Sequence, residues 1–196
     1  MPSSKHPVKA KLLLASNLAN IFGFGLFLPL YGGYILALGE EPETGSFLWS
    51  AHTLAIGIFA LVFGRLEDKK NGLFSRFLIG GNLLQLVGVA IILVTSQVVW
   101  FGVGLVIYSL GVGVLSPAWL AMFSKSLDGK HTARGWSYAQ GGGALAGAGG
   151  AAAGGLLFSG YGYLGVFVLA LILHAVGMIL GIMAVNKKRL RPQVVG

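Results

Sequence analysis

Long apolar stretches alternate with short polar and charged segments along the chain. Windows free of charged residues cover residues 12–39, 44–64, 77–124 and 135–186. A helix needs about 20 apolar residues to cross the hydrocarbon core of a bilayer, so each of the first two windows holds one crossing. The third window is interrupted by polar residues at 95–97, and the fourth by a Ser-Gly-Tyr-Gly turn at 159–162. The pattern therefore predicts six transmembrane helices.

Composition supports an all-α integral membrane protein. Hydrophobic residues make up 55% of the chain and charged residues only 10%, and the mean hydropathy is +0.79. A soluble domain of this length carries far more charge. The chain has no cysteine, which excludes disulfide and thiolate chemistry.

The basic residues predict the orientation of the helices. All 14 Lys and Arg residues lie before the first helix, within 65–76, within 125–134 or after the sixth helix. The other side carries only Glu40, Glu41 and Glu43. Because cytoplasmic segments are enriched in basic residues, both termini are expected in the cytoplasm of a multi-pass cell-membrane protein. This distribution accounts for the net charge of +8 without a nucleic-acid partner, and the basic tail 187–196 is expected to meet anionic lipid head groups.

Two halves of the chain share a spacing of glycine and proline. A shift of 89 residues pairs Gln85 with His174 inside similar segments. The triplets of helices at about 12–95 and 98–186 would then run in opposite directions, and such inverted repeats place a substrate path at their interface. The alternative is coincidence in a chain with 32 glycines. A shift of 88 residues superposes Gly23, Gly25 and Pro29 on Gly111, Gly113 and Pro117.

The two prolines of this repeat predict a weakened turn in helices one and four. Pro29 cannot donate to the carbonyl of Gly25, and Pro117 cannot donate to that of Gly113. Each helix can then bend during a conformational change or hold a fixed kink for packing, and the sequence leaves both alternatives open.

The loop between helices two and three resembles a signature of the major facilitator superfamily, G-x-L-x-D-[RK]-x-G-[RK]-[RK]. Its sequence here is GRLEDKKNG at 64–72. Asn71 stands where the family has glycine, and Gly72 and Leu73 replace the closing basic pair. The resemblance implies a conformational role for this loop, in which the aspartate interacts with a helix start of the opposing half. The matching residues are Gly64, Leu66, Asp68 and Lys69.

Helices four and five carry further resemblance to that superfamily. Helix five, AGAGGAAAGGLL at 146–157, is similar to the motif G-x-x-x-G-P-x-x-G-G, with Gly150, Gly154 and Gly155 in place and Ala151 instead of proline. Helix four matches at Gly111, Pro117 and the Arg134-Gly135 exit. The resemblance spans nearly the whole chain and implies a single six-helix domain, 1–196, equal to half of a twelve-helix transporter.

Polar and aromatic residues form a stripe along helix one at steps of three and four residues. Its members include Phe27, and the repeat extends it to helix four. The resemblance implies that these two helices line a central cavity. The alternative is a packing seam in which the asparagines bond a neighbouring helix. The candidate substrate-binding residues are Asn17, Asn20, Phe24, Tyr31, Tyr34, Tyr108 and Trp119, with Gln85, Gln140 and His174 as weaker candidates.

The chemistry within the spans indicates a carrier of uncharged solutes. Only His52 and His174 could titrate there, which disfavours proton antiport; a lone histidine is more often a bonded packing residue. No metal, phosphate-binding or serine-hydrolase pattern is present, so neither an enzyme nor a cofactor is expected. We expect transport of a small neutral or amphipathic organic solute by alternating access. The alternatives are a membrane scaffold without transport and a partner half of a larger transporter.

A homodimer is expected because one six-helix half supplies only one wall of a cavity and would leave its asparagines facing lipid. Small residues at four-residue spacing let helices approach closely. The resemblance implies that helix five of one copy meets helix two of the other near Leu54, Ile58 and Leu61. Alternatively, the glycines serve contacts within one copy, especially with helix one, and the chain is monomeric or pairs with a different half. The interface glycines are Gly143, Gly147, Gly150 and Gly154.

Overall fold

The computed structural model describes residues 7–69, 73–127 and 132–186, and this part of the chain contains helices and no strand. The basic tail 187–196 and the loop residues Asn71 and Gly72 lie outside the described residues, so the predictions made for them stay predictions. The helices are α1 Pro7–Phe27, a 3₁₀ turn Leu28–Leu30, α2 Tyr31–Ala37, α3 Pro42–Lys69, α4 Phe74–Val94, α5 Val98–Ser126 and α6 Thr132–Asn186.

In the described residues, five helical stretches are long and apolar enough to cross a membrane, where the sequence predicted six. The first combines α1 and α2 over Pro7–Ala37, and the last is the whole of α6, which has 55 residues. At 1.5 Å per residue, a straight helix of that length would measure about 80 Å, more than twice the hydrocarbon thickness. The backbone leaves the helical conformation at Gly162, with φ 62° and ψ −161°, inside the predicted break at 159–162.

The two parts of α6 on either side of Gly162 pack along α1 in opposite directions. In the first part Gly143 meets Ile21, and Gly154 meets Leu26 further along both helices. In the second part Phe167 lies 4.9 Å from Phe27 between ring centroids. The chain therefore turns back near Gly162, where glycine readily adopts the positive φ.

Two apolar clusters hold the helices together. One surrounds the 3₁₀ turn and includes Phe27, Phe101 and Phe167. The other lies toward the start of α1 and includes Leu13, Trp119 and Phe123. α1 and α5 cross these clusters in opposite directions, since the Trp119 Nε1–H donates to the Leu13 carbonyl at 2.9 Å and the Phe27 ring centroid lies 6.1 Å from that of Phe101.

α3 is the least covered helix of the described fold. Only Gly45, His52 and Glu67 of its 28 residues are buried. Its outward face carries Leu54, Ile58 and Leu61, which are 64%, 49% and 67% exposed. In a bilayer this apolar face meets lipid or another protein surface.

The repeated prolines behave differently from one another. The α-helical geometry stops before Pro29, which lies inside the 3₁₀ turn Leu28–Leu30, whereas α5 continues through Pro117. Gly113 is buried against Phe59, and this packing supports α5 at the position where the proline frees a carbonyl. Pro29 is exposed and lacks such support. The prediction of a weakened turn at each proline stays a prediction, since Pro117 still cannot donate to the Gly113 carbonyl.

Candidate solute-binding cavity

A cavity of about 210 Å³ opens between the antiparallel helices α1 and α5. No Asp, Glu, Lys or Arg is among the residues that line it. Small-molecule sites usually enclose about 300–1,000 Å³, so this volume corresponds to part of such a site. Its walls are formed by Asn17, Asn20, Ile21 and Phe24 of α1, His52 and Ile56 of α3, Gln85 of α4, and Tyr108, Val112, Leu115 and Ser116 of α5.

Asn20 both lines the cavity and bonds a neighbouring helix. Its Nδ2 donates to Asn82 Oδ1 at 2.9 Å, and Asn82 Nδ2 donates to the Leu78 carbonyl at 2.8 Å. The Asn20 Oδ1 atom is buried without a hydrogen-bond partner, which typically costs about 1–3 kcal/mol. The cavity and the seam, which the sequence presented as alternatives, therefore meet at this residue. Asn82 was missed because nothing in the periodicity of α4 singles it out.

Asn17 and Gln85 supply the other amide groups of the cavity. Gln85 is 3% exposed, and Asn17 is half-buried. Neither side chain makes a hydrogen bond within the described residues. Their amide atoms are also not among the fully buried atoms that lack a partner, so each amide keeps some exposed surface. Their amides therefore remain accessible from the cavity, where each can both donate and accept.

Three nearly parallel rings form the aromatic part of the wall. Phe24 lies 5.6 Å from Tyr108 with 12° between the planes, and 5.8 Å from His52 with 18°. His52 and Tyr108 are 6.1 Å apart at 28°. Trp49 flanks this group, with its ring centroid 5.1 Å from that of His52.

The hydrogen bonds of His52 determine its tautomer. Ser109 Oγ donates to the Leu105 carbonyl at 2.6 Å, and its single hydroxyl proton is used there. His52 Nδ1, 2.7 Å from Ser109 Oγ, must therefore be the donor in that contact. The other ring nitrogen, Nε2, is then an acceptor without a proton. The sequence drew attention to His52 only as a group able to titrate, and Ser109 was missed.

His174 lies behind Tyr108 and outside the main cavity. Its Nδ1 lies 2.8 Å from the Ala170 carbonyl and must donate to it. Consequently the Tyr108 hydroxyl donates to His174 Nε2 at 3.3 Å. His174 is 1% exposed and lines a void of about 30 Å³, which Gly23 also lines. His174 therefore contacts the cavity through Tyr108, whose hydroxyl it fixes by this hydrogen bond.

Besides His174, four predicted substrate-binding residues lie away from the cavity. Because the 3₁₀ turn changes the angular step between residues, Tyr31 and Tyr34 leave the face that Phe24 occupies. The Tyr31 hydroxyl donates to Gly45 O at 2.8 Å, and the Tyr34 hydroxyl donates to Thr95 O at 3.2 Å. Trp119 packs in the second apolar cluster, and Gln140 is exposed on α6. Tyr31 borders another opening, a pocket of about 490 Å³ between α2 and α3.

The predicted interface glycines pack inside the chain instead. Beta-carbons added at Gly143, Gly147, Gly150 or Gly154 would all meet residues of α1. Three of the four, Gly147 being the exception, are buried in a single copy. This face is occupied by α1 because the glycines let the two backbones come into contact. The assignment of these glycines to a dimer interface is therefore wrong, and the alternative contact with helix one is the one observed.

The predicted conformational residues lie at the end of α3. A Cβ added at Gly64 would lie 3.7 Å from Pro117, so the loop motif directly adjoins α5. Asp68 and Lys69 are exposed. Their neighbour Glu67 is buried, and its Oε1 atom has no hydrogen-bond partner in the described part of the chain.

Comparison with known families agrees with this architecture. The sequence model described as Major Facilitator Superfamily matches residues 13–195. The chain belongs to the major facilitator superfamily. It is therefore a multi-pass membrane protein of a superfamily of transporters. No functionally curated protein is similar to it in sequence.

Solved structures of two transporters share the fold. The auto-inhibited POT family peptide transporter has a TM-score of 0.76 and 16% identity, over 94% of this chain and 39% of that chain. The POT family transporter PepTSo has a TM-score of 0.74 and 20% identity, over 94% of this chain and 38% of that chain. The present chain thus spans less than two fifths of the length of either transporter.

Proposed function

We propose that this chain is a transporter unit that moves a small neutral or amphipathic organic solute across the cell membrane by alternating access. The observation that carries the proposal is the uncharged cavity between α1 and α5, lined by accessible amides and by aromatic rings. In a scaffold that serves only packing, amides within the helical core are expected to be hydrogen-bonded to protein, whereas those of Asn17 and Gln85 are not.

We infer that the chain crosses the membrane six times as two inverted three-helix repeats. One contact between helices supports the repeat. Gly23 packs against the ring of His174, and the shifts of 88 and 89 residues convert this pair into Gly111 and Gln85, which also pack together. Exchanging the two halves therefore reproduces the contact, as a pseudo-two-fold axis requires.

A second contact supports the same symmetry. Gly25 lies against the Gly147 backbone, with an added Cβ 2.8 Å from the Gly147 carbonyl oxygen. Shifting both residues by 88 converts the pair into Gly113 and Phe59, which also touch. α3 therefore packs on α5 much as the first part of α6 packs on α1, and these two helices flank the cavity.

A second six-helix unit completes the cavity in this proposal, and we propose a second copy of the chain in that place. The bare face of α3 supplies bulky residues such as Leu54 and Leu61. The outward face of α6 supplies small ones, such as the exposed Gly141, Ala144 and Ala148. A two-fold axis through the cavity would bring the bulky face of one copy onto the small face of the other.

Uptake into proteoliposomes tests the transport proposal. The purified chain, reconstituted with a panel of neutral solutes with and without a pH gradient, is expected to show saturable flux that the gradient leaves unchanged. Gln85→Leu is expected to lower that flux, and Ser159→Ala, on the exposed surface, serves as its matched control. Absence of flux for every solute would favour a scaffold.

Labelling of single cysteines tests the six crossings, since the natural chain has no cysteine. We expect cysteines at Glu41, Ser96 and Ser159 to react with an impermeant thiol reagent outside the cell. A cysteine at Arg134 should react only after the membrane is permeabilised. Reaction of Ser159→Cys from the inside would contradict the reversal of the chain across the membrane at Gly162.

A further inference from the structure

We propose that the cavity selects flat, neutral heterocycles that carry an N–H donor, and that His52 Nε2 accepts the bond from that donor. This inference rests on the proposed function, because it names the solute class of the same cavity. It follows from three independent features: the orientation of the rings, the tautomer of His52 and the absence of charge in the wall.

The orientation of the rings favours a flat solute. Phe24, His52 and Tyr108 are parallel to within 28° for every pair. A planar ring that lies parallel to one of them is therefore nearly parallel to all three. Offset stacking adds to the free energy of burial for a planar ring, and a puckered ring loses that gain.

The tautomer of His52 favours a donor on the solute. Ser109 Oγ accepts the hydrogen bond from His52 Nδ1–H, and Nε2 has no hydrogen bond in the described residues. His52 lines the cavity, and Nε2 is not among the fully buried atoms that lack a partner. An accessible acceptor at this position is satisfied by an N–H group, whereas a solute without a donor displaces water and leaves Nε2 unpaired.

The wall also limits the charge of the solute. The lining residues include no Asp, Glu, Lys or Arg, so a charged solute would lose its hydration without gaining a permanent countercharge. The amides of Asn17 and Gln85 instead complement carbonyl and N–H groups at the edge of a neutral heterocycle.

Equilibrium binding to the full chain in lipid nanodiscs tests the inference. The probes are uracil and indole, each paired with its N-methylated analogue, 1,3-dimethyluracil or 1-methylindole. Dihydrouracil keeps the donors of uracil but is puckered. We expect at least one parent heterocycle to bind about tenfold more tightly than its methylated analogue, which lies within the range for leaving a buried acceptor unpaired. If uracil is the heterocycle bound, dihydrouracil should also bind several-fold more weakly.

His52→Phe keeps a ring in the stack and removes Nε2. Ser109 still donates to Leu105 in this variant, so its hydroxyl is not left without an acceptor. We expect the variant to lose most of the preference for the parent heterocycle over its methylated analogue. Tyr161→Phe, at an exposed position, is the matched control and should keep the wild-type preference. A monodisperse elution profile for both variants verifies that they are folded.

The outcomes separate this inference from the transport proposal. Failure of both parent heterocycles to bind, or an unchanged preference in His52→Phe, would overturn the inference. Saturable flux of aliphatic neutral solutes would at the same time keep the transport proposal. Conversely, binding that depends on His52 in a protein without flux would support the inference and refute transport.

Discussion

Replacing Gly150 by alanine tests the close packing of α1 on α6. The added Cβ would lie 3.1 Å from Gly25 Cα and 3.2 Å from the Gly25 carbonyl carbon, and closer still to the Phe22 carbonyl oxygen. Backbone atoms cannot rotate away, so the two helices must separate. Overpacking of this kind costs about 1–3 kcal/mol. Alanine recovers up to about 1 kcal/mol of helix propensity, which reduces the net loss.

Gly155→Ala provides the matched control for that substitution. It is the same chemical change in the same helix, five residues away, but no atom lies within 4 Å of the added Cβ. The difference in the free energy of unfolding between the two variants therefore isolates the contact and should be about 1–3 kcal/mol. Reversible unfolding in mixed micelles with increasing SDS measures it. Equal stabilities for the two variants would refute the packing argument.

Three further predictions concern individual side chains. Tyr34→Phe should lose about 0.5–1.5 kcal/mol with the bond to the Thr95 carbonyl, whereas Tyr34→Ala should lose about 3–5 kcal/mol by also opening a cavity; the same unfolding titration measures both. Asn82→Leu should lower stability by about 1–3 kcal/mol because Asn20 Nδ2 loses its acceptor, and the Asn20→Leu/Asn82→Leu double variant should recover most of this loss. Asp68→Asn should change the labelling of single cysteines on the two membrane faces; unchanged labelling on both faces would contradict a conformational role for Asp68.

The sequence was sufficient for the class of fold because the bilayer imposes long apolar windows. The break at 159–162 was predicted because polar and glycine residues interrupt such a window, and the backbone leaves the helix there at Gly162. The glycine spacing likewise showed that a close helix contact exists. It could not show which helix is in contact, since close approach requires small residues whether the neighbour is α1 or a helix of a second copy.

The candidate site was less accessible to sequence reasoning. Phe24 was predicted as part of the stripe on helix one, and Tyr108 because a shift of 88 residues pairs it with Asn20; both line the cavity. Tyr31 and Tyr34 were placed there on the assumption of an unbroken helix, which the 3₁₀ turn at Pro29 invalidates. The role of His52 depends on the partner of its other nitrogen, and a bond to Ser109 across 57 positions leaves no trace in local periodicity.

The sparse attachment of α3 has a mechanical consequence. Its three buried residues, Gly45, His52 and Glu67, are separated by 7 and 15 positions, which correspond to about two and four helical turns. At 100° per residue they fall within about 60° of one another around the helix, so they form a narrow buried stripe along one face. A helix buried along one narrow stripe is expected to roll about that stripe more easily than it slides. Because His52 lies between the other two buried residues of this stripe, a roll of α3 would tilt its imidazole relative to Phe24 and alter the angle between their rings.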